Sequence, residues 1–338
     1  MNGKSAKKGL VPALFAAVTA AILVAAVVSI CVGKYSITVD DIRAIFAGKE
    51  VDDMTRRVFL TLRLSRTIMA IIAGVGLGVA GSVYQIIFKN PLASPDIIGI
   101  AGGANLGAAI AIVSVSTSGM FAIASGAFWG GLAAVVCVML LVKATRSRST
   151  STYVLAGIVI NAISKAAIMA LKYFADPENE LAAMEYWEMG TFGNTTLSKL
   201  LSIRPMFLIG LAGILLLRRQ IELMSLSDNE CRALGVRLRP VRAAVLALST
   251  LMVGSIISVT GLISFAGLIA PHTARLMLRR NDSTTIIMSG LVGAFVVLTA
   301  DILARVLYSA ELPISILTTV IGVPILIYFL CARGKDVS

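Results

Sequence analysis

The chain is poor in charged residues and nearly lacks histidine, and these two shortages exclude several classes of protein. Charged residues make up 14% of its 338 residues, whereas hydrophobic residues make up 57%. A soluble core cannot bury so much apolar surface, so the sequence excludes an ordinary soluble domain and predicts a membrane protein. The single histidine rules out an H-E-x-x-H zinc motif, and no G-x-x-x-x-G-K-[ST] phosphate loop occurs. We therefore expect no enzymatic activity, no cofactor and no ATP site in this chain.

The four cysteines are too scattered to form a disulfide framework or a zinc site. None belongs to a C-x-x-C pair or has a histidine at metal-binding spacing; they are Cys31, Cys137, Cys231 and Cys331. The net charge of +12 is spread over short Lys and Arg clusters between apolar runs. That pattern is typical of cytoplasmic loops in membrane proteins, so the expected environment is a lipid bilayer and no nucleic acid partner is expected.

Nine apolar runs are long enough to be read as crossings of about 30 Å of hydrocarbon. They lie near residues 11–33, 64–88, 96–115, 120–142, 152–174, 203–217, 243–260, 284–307 and 314–332. A tenth segment, residues 267–279, is too short for a regular span and follows a stretch bounded by Gly261 and Gly267. We predict a broken or re-entrant passage there, shielded from lipid by neighbouring protein. The sequence thus predicts an all-α polytopic membrane protein, a single domain over residues 1–338 with about ten transmembrane helices.

Basic residues decide the predicted orientation of the chain. With the N-terminus inside, most Lys and Arg clusters fall on inner loops, so both termini are predicted to be cytoplasmic, with residues 1–10 as a tail. The first apolar run exceeds the core of a secretory signal, and we predict that it is a retained span. One outer segment, residues 34–66, is basic against this trend. A basic cluster on the outer side indicates a binding role.

One long polar interruption, residues 218–242, falls on the predicted inner side. Apolar and charged residues alternate within it at roughly helical spacing, and Gly235 and Pro240 supply stop signals. This pattern predicts one or two short amphipathic helices on the membrane surface. A solvated loop that only joins two spans is the alternative.

Few carboxylates fall inside the predicted spans. Asp301 and Arg305 have the i,i+4 spacing of an ion pair, and structural pairing explains them better than ion coupling does. An ion-coupled secondary transporter stays open as the alternative class. His272, which follows Pro271, is expected to be a structural hydrogen-bonding group. Residues 176–194 are predicted to form an acidic, solvated outer loop with an aromatic anchor at the membrane interface.

Small residues recur at four-residue spacing in two predicted spans. The rows are Gly74, Gly78 and Ser82 in the second span, and Gly99, Gly103 and Gly107 in the third. Such rows let helix backbones approach closely where lipid provides no hydrophobic drive for association. We predict helix packing for both rows rather than ligand contact.

Several motifs follow one another in order between about residues 60 and 330. They are Arg63-Leu64-Ser65-Arg66, Asn90-Pro91-Leu92-Ala93-Ser94-Pro95-Asp96, Leu155-Ala156-Gly157, Trp187 with Gly190, Leu226 through Gly235, Gly261 through His272, Asp301, Arg305, Glu311-Leu312-Pro313 and Gly322-Val323-Pro324. Jointly they resemble the FecCD-type permease subunits of ABC importers, a family that includes vitamin B12, ferric siderophore, haem and molybdate permeases. One departure is Ser65, where a proline is common.

The resemblance implies a B12-permease-like fold of the type II ABC importers and no catalytic role for this chain. Two copies, or one copy and a paralogue, would enclose the transport path in the cytoplasmic membrane. Two ATP-binding subunits would dock from the cytoplasm, and an extracytoplasmic substrate-binding protein would deliver the cargo. The implied cargo is a metal chelate, with a ferric siderophore ranked first and vitamin B12, haem or molybdate left open.

The resemblance also implies roles for individual residues. The coupling helices that contact the ATPase would comprise Leu226, Ser227, Asp228, Glu230, Ala233, Leu234 and Gly235. Arg63 and Arg66 would meet acidic residues of the binding protein. The cytoplasmic gate would comprise Asn90, Leu92, Thr150 and Ser151. A structural motif would comprise Gly267, Pro271, His272, Asp301, Arg305, Glu311 and Pro313.

Overall fold

The computed structural model describes residues 3–33, 35, 37–114, 120–145 and 149–334, and no β-strand occurs among them. The helices are α1 (Gly3–Cys31), α2 (Val39–Phe46), α3 (Asp53–Arg57), α4 (Leu64–Ile87), α5 (Ile100–Ser114), α6 (Met120–Ala144), α7 (Thr150–Phe174), α8 (Ala182–Met189), α9 (Leu197–Leu216), α10 (Arg218–Leu223), α11 (Asp228–Ala233), α12 (Leu238–Thr260), α13 (Ala266–Leu278), α14 (Ser283–Val306) and α15 (Ile314–Gly334). Two π-helical turns, Val58–Arg63 and Pro177–Leu181, precede α4 and α8.

Ten of these helices correspond to the ten predicted apolar segments: α1, α4, α5, α6, α7, α9, α12, α13, α14 and α15. In the described part of the chain, seven stretches are helical, long and apolar enough to cross a membrane. α5 and α13 are shorter, with 15 and 13 residues. The prediction of an all-α membrane protein with about ten membrane segments is confirmed, whereas the orientation of its termini stays a prediction.

Helices α4, α12 and α14 form the centre of the bundle, and most of their side chains are buried. α14 packs along α4, α5 along α6, and α12 along α9. Gly74 of α4 lies against the backbone of Gly293, and Gly107 of α5 lies against that of Gly126. The predicted packing role of these glycine rows is confirmed, although Gly99 lies in the turn before α5 with a φ of +96°.

The predicted break between α12 and α13 is present and enclosed. Gly261 and Phe265 adopt positive φ values of 69° and 64°, so the backbone between them is not helical. The Ser315 hydroxyl donates to the Leu262 carbonyl oxygen at 3.0 Å, and the Ser264 N–H donates to Ser315 Oγ at 3.3 Å. These bonds satisfy polar backbone groups that lipid would leave unpaired, which confirms the predicted shielding.

Two local predictions are wrong. Residues 176–194 contain α8 and the helical turn before it, because Asp176 accepts a capping bond from the Asn179 N–H at 3.1 Å and Pro177 needs no N–H in a first turn. Pro240 lies in the first turn of α12 for the same reason, so it does not stop a helix. Helix α1 begins at Gly3, within the tail predicted at residues 1–10, and the cytoplasmic location of that tail stays a prediction. Residues 1–2 lie outside the described part.

Candidate coupling and transport sites

The predicted coupling segment, residues 218–242, folds into the two short helices α10 and α11 before α12 begins. Ile221, Met224 and Cys231 anchor this segment, and their side chains are at most 1% exposed. Ser227 and Glu230 form a capping box at the start of α11. The Ser227 N–H donates to the Glu230 carboxylate at 2.8 Å, and the Glu230 N–H donates to Ser227 Oγ at 3.3 Å. The two-helix prediction is confirmed, and the alternative of a solvated loop is wrong.

Gly235 ends α11 and leaves an apolar patch exposed. Its φ is +79°, its N–H donates to the Arg232 carbonyl oxygen at 3.0 Å, and the Val236 N–H donates to the Cys231 carbonyl oxygen at 2.9 Å. This is the bond pattern of a Schellman C-cap. Leu226 and Leu234, on either side of α11, are 39% and 58% exposed, and Ala233, which directly precedes Leu234, is exposed too. We call Leu226, Ala233 and Leu234 the coupling face.

Asp228 joins α11 to the ends of three membrane helices. Its carboxylate accepts hydrogen bonds from Lys89 at 2.9 Å and from Arg242 at 3.2 Å, and Arg242 also donates to Thr150 Oγ1 at 3.2 Å. Partial burial opposes ionisation of Asp228, but the Lys89 hydrogen bond and the charge of Arg242 outweigh it, so the pKa of Asp228 lies below its ordinary value. Because Thr150 begins α7 and Lys89 follows α4, the Asp228 carboxylate links α11 to α4 through Lys89 and to α7 through Arg242.

The predicted gate residues lie at this same end of the bundle, in two groups. Asn90 and Leu92 share a turn in which the Leu92 N–H donates to Asn90 Oδ1 at 2.9 Å, and the Leu92 side chain is 56% exposed. Thr150 and Ser151 open α7, and Ser151 is exposed. The Asp228 network connects the two groups through Lys89 and Arg242. Sequence reasoning missed Lys89 and Arg242 as members of this network. The hydrogen bond between Lys89 and Asp228 spans 139 positions of the chain, and the one between Arg242 and Thr150 spans 92.

The opposite, predicted outer end holds a cluster of buried charges. Asp301 is fully buried, and its carboxylate lies 2.9 Å from Arg66 Nε and 3.1 Å from Arg305. Arg66 also donates to both carboxylate oxygens of Glu311, at 2.8 and 2.9 Å. Arg305 in turn donates to the Ser29 and Val32 carbonyl oxygens at 3.0 and 2.9 Å. The predicted Asp301–Arg305 pair is confirmed, and the cluster fastens α14 to α4, to α1 and to the turn before α15.

Arg63 and Arg66, the predicted docking arginines, both have partners inside this chain. Arg63 is 9% exposed and donates to the carbonyl oxygens of Val32 and, at 3.2 Å, Tyr35. The side chain of Arg66 is 11% exposed. Together with Glu311 they line a cavity of about 330 Å³ at the predicted outer end. Their docking role stays a prediction.

The remaining motif residues hold α13 in place. Gly267 packs against α4, where a side chain at Gly81 would overlap the Gly267 carbonyl oxygen. His272 Nδ1 donates to the Leu268 carbonyl oxygen at 2.8 Å, and Pro271 is buried within α13. Pro313 directly precedes α15, in the turn that carries Glu311.

A second cavity, of about 520 Å³, lies between α5, α7 and the passage before α13. Its polar lining includes Ser94, Asp96, Asn105, Asn161, Lys165 and Ser264. The sequence analysis passed over Lys165, although a lysine near the middle of a predicted span is itself a signal of function.

Comparison with known proteins defines the class. The model of the FecCD transport family matches residues 21–332. The molybdate import system permease MolB of Haemophilus influenzae is 34% identical over 96% of this chain and 98% of its own length. The hemin transport system permease HmuU of Yersinia pestis is 34% identical over 85% of this chain and 87% of its own. A solved metal-chelate-type ABC transporter in an inward-facing conformation matches with a TM-score of 0.85 and 32% identity, over 95% of this chain and 99% of that one.

The helical bundle and these relatives define an integral membrane permease of an ABC importer. The chain belongs to the FecCD transport family.

Proposed function

We propose that this permease carries a metal chelate, with a ferric siderophore ranked first, across the cytoplasmic membrane, and that two separate ATPase subunits drive it. Vitamin B12, haem and molybdate are the alternative cargoes, since the relatives named above import molybdate and hemin. The observation that carries the proposal is the coupling face, which rests on a capped helix and an internal salt-bridge network. Exposed leucines at a polar helix end are more stable when buried in a groove of a partner protein than when exposed to water.

Coupling would run from α11 through Asp228. If ATP binding draws the two ATPases together, α10 and α11 move as a rigid unit, and Lys89 and Arg242 transmit that movement to α4, α12 and the start of α7. The gate residues Asn90 and Thr150 lie next to or within this network. For the cycle to pump, ATP must favour one access state over the other by several kcal/mol, about 5.5 for a complete switch.

Two further partners belong to the proposal. An extracytoplasmic binding protein would dock on the predicted outer end, near α2 and α3. A second copy of this chain, or a paralogue, would complete the path against α7, where Ile158 and Met169 share a face and are 52% and 65% exposed. Large apolar side chains on one helix suit either a partner helix or lipid.

Charged substitutions on the coupling face test the proposal. Leu226→Asp together with Leu234→Asp should release the ATPase, because an unpaired charge at the centre of an interface costs about 2 kcal/mol or more, which is roughly thirtyfold in affinity. The measurement is recovery of the ATPase in a detergent pull-down on the tagged permease. Ser225→Asp is the matched control, since Ser225 is exposed on the same segment but lies outside the apolar patch. Full recovery with the double variant would contradict the assignment.

Reconstitution separates the proposal from the alternative class. An ABC permease in vesicles should take up cargo only with its ATPase and ATP present, whereas a secondary transporter works alone on an ion gradient. The structure favours the first outcome, because Asp301 is already neutralised by Arg66 and Arg305 and is fully buried. Uphill uptake by the purified chain alone would overturn the proposal.

A further inference from the structure

Lys165 lies within a candidate membrane span and has no ion-pair partner among the described residues. It is the sixteenth of the 25 residues of α7, which places it about 14 Å from the outer end of that helix at a rise of 1.5 Å per residue. The side chain is exposed on the surface of the chain, and no ion pair within the described residues includes it. A lysine at this depth cannot face lipid without a large cost, so it faces a water-filled path.

Lys172, two turns further along α7, shows the contrast. It lines the same cavity, but its ammonium group is held by Glu185 at 2.7 Å and by Glu188 at 2.8 Å. Lys172 therefore serves to fasten α7 to α8. Of the two lysines on this face, Lys165 alone offers a free positive charge to the cavity within the described chain.

Asp96 is the one other unpaired charge of the cavity among the described residues. Asn161, one turn before Lys165, donates to the Asp96 carbonyl oxygen at 2.6 Å, which brings the linker before α5 to this level. Gly102 makes room for that bond, since a side chain there would overlap Asn161 Oδ1. Asp96 thus lies on the predicted cytoplasmic side of Lys165. A solute that enters from the outer end therefore meets Lys172 first, whose charge is neutralised by Glu185 and Glu188. It then meets the positive charge of Lys165, and last the negative charge of Asp96.

We propose that Lys165 is an anion-binding residue of the transport path and that the cargo is an anionic chelate or oxyanion. An anion from the outer end is attracted by Lys165 and held back by Asp96, whereas a cation is repelled at the first of the two charges. This inference rests on the proposed function, because it assumes that the cavity belongs to a transport path.

The local potential is measurable without knowing the cargo. Met169 lies one turn after Lys165, lines the same cavity and is 65% exposed. In a permease whose four native cysteines are replaced by alanine, Met169→Cys should react faster with a sulfonate-bearing methanethiosulfonate reagent than with a trimethylammonium-bearing one. Adding Lys165→Gln should lower that rate ratio about fivefold to tenfold, the Coulomb effect of one charge at helix-neighbour distance in water. Lys165→Arg should keep the ratio.

Two variants make the measurement decisive. Ile163→Cys is the matched control, because Ile163 is 59% exposed but lies two positions away, nearly opposite Lys165 on the helix. Both impermeant reagents should react much more slowly with Ile163→Cys than with Met169→Cys. Asp96→Asn should raise the ratio at Met169→Cys. The proposal would be overturned if Lys165→Gln left the rate ratio unchanged, or if Ile163→Cys reacted as fast as Met169→Cys. Absence of ATP-driven uptake by the reconstituted permease, with these reactivities as expected, would count only against the proposed function.

The class of cargo follows from protection of the same cysteine. Molybdate or ferric citrate, both anionic, should slow the labelling of Met169→Cys, and Lys165→Gln should abolish the protection. Cyanocobalamin, which carries no net charge, should protect weakly and equally in both backgrounds. Protection by cyanocobalamin and by neither anion would overturn the assignment of an anionic cargo.

Discussion

The two ends of the bundle use charged residues in opposite ways. At the predicted outer end, Asp301 is fully buried between Arg66 and Arg305. At the predicted cytoplasmic end, Asp228 also bridges two basic residues, yet its side chain is 33% exposed and its helix carries the exposed coupling face. The outer network joins membrane helices to one another, and the inner network joins membrane helices to a segment that a partner protein can bind.

This difference indicates that the outer network holds the membrane helices together, whereas the inner network transmits movement of α11 to them. A buried ion pair is costly to break, because removing one member leaves the other charge uncompensated in a medium that solvates it poorly. The Lys89–Asp228 pair is about a third exposed on both sides and costs less to rearrange, so this contact can change partners during a transport cycle although Arg242 is buried. We expect the outer end to move as a block and the inner end to reorganise.

The largest expected effect is at Asp301. Asp301→Asn leaves Arg66 and Arg305 buried with only part of their counter-charge, and a broken buried pair typically costs about 3–5 kcal/mol of unfolding free energy. The measurement is thermal or denaturant unfolding of the purified permease in detergent. Arg43→Gln is the control, since the Arg43–Asp40 pair is largely exposed and should contribute nothing measurable. Equal stability of the two variants would contradict the structural role of the buried Asp301 cluster.

Two glycines with similar φ values allow the packing of the two ends to be compared. Gly190 and Gly235 have φ values of 71° and 79°. A side chain at Gly190 would overlap the Leu262 carbonyl oxygen, whereas nothing lies within 4 Å of one at Gly235. Gly235→Ala should cost only the strain of its positive φ, about 1–2 kcal/mol. Gly190→Ala should add about 1–3 kcal/mol of steric overlap, and further backbone strain because Gly190 combines its positive φ with a ψ of 145°. The same unfolding assay measures both, and Gly235→Ala as the more damaging change would contradict the packing described.

Local patterns in the sequence were sufficient to predict the membrane helices and the coupling helices. Apolar runs predicted the membrane helices, because each span must satisfy its own backbone in lipid. The Asp301–Arg305 pair was visible because its spacing is four residues on one helix. The coupling helices were visible because their apolar positions repeat at helical spacing and Gly235 marks an end.

What the sequence left open is set by contacts between distant segments. Arg66 joins Asp301 across 235 positions, and Lys89 joins Asp228 across 139, so no local pattern pairs them. The helix at residues 182–189 was missed for a different reason: its acidic residues were read as a solvated loop, although Asp176 and Pro177 formed a start signal. Lys165 was overlooked because a single charge in an apolar run does not reveal which way it faces.

An acid titration tests the inner network. The pKa of Asp228 lies below its ordinary value of 3.8, so the stabilisation it provides is complete above that value and is lost as pH falls through the lower, folded-state pKa. For a pair exposed by about a third, we expect roughly 1 kcal/mol. Unfolding measured from pH 6 down to pH 3 should show a loss, beginning below about pH 4, that is smaller in Asp228→Asn. An identical acid profile for the variant would contradict the network.

The smallest effects are expected at the docking surface. The sequence-based prediction is that Arg63→Glu with Arg66→Glu weakens docking of the binding protein, most clearly at low salt. Both arginines have partners inside the chain, so their reversal also disturbs the Asp301 cluster, and unfolding must be measured in parallel. Arg56→Glu with Arg57→Glu is the matched pair, because both residues are exposed on α3.

The two pairs distinguish a direct contact from an indirect one. Charges at the edge of an interface act mainly on the association rate. Arg56→Glu with Arg57→Glu should therefore slow docking by about threefold to tenfold at low salt without changing the stability of the permease. If the buried pair slows docking only to the extent that it lowers stability, Arg63 and Arg66 shape the docking surface without forming it. If docking falls while stability holds, these arginines leave their internal partners for the binding protein, and the outer end is less of a rigid block than its buried charges indicate.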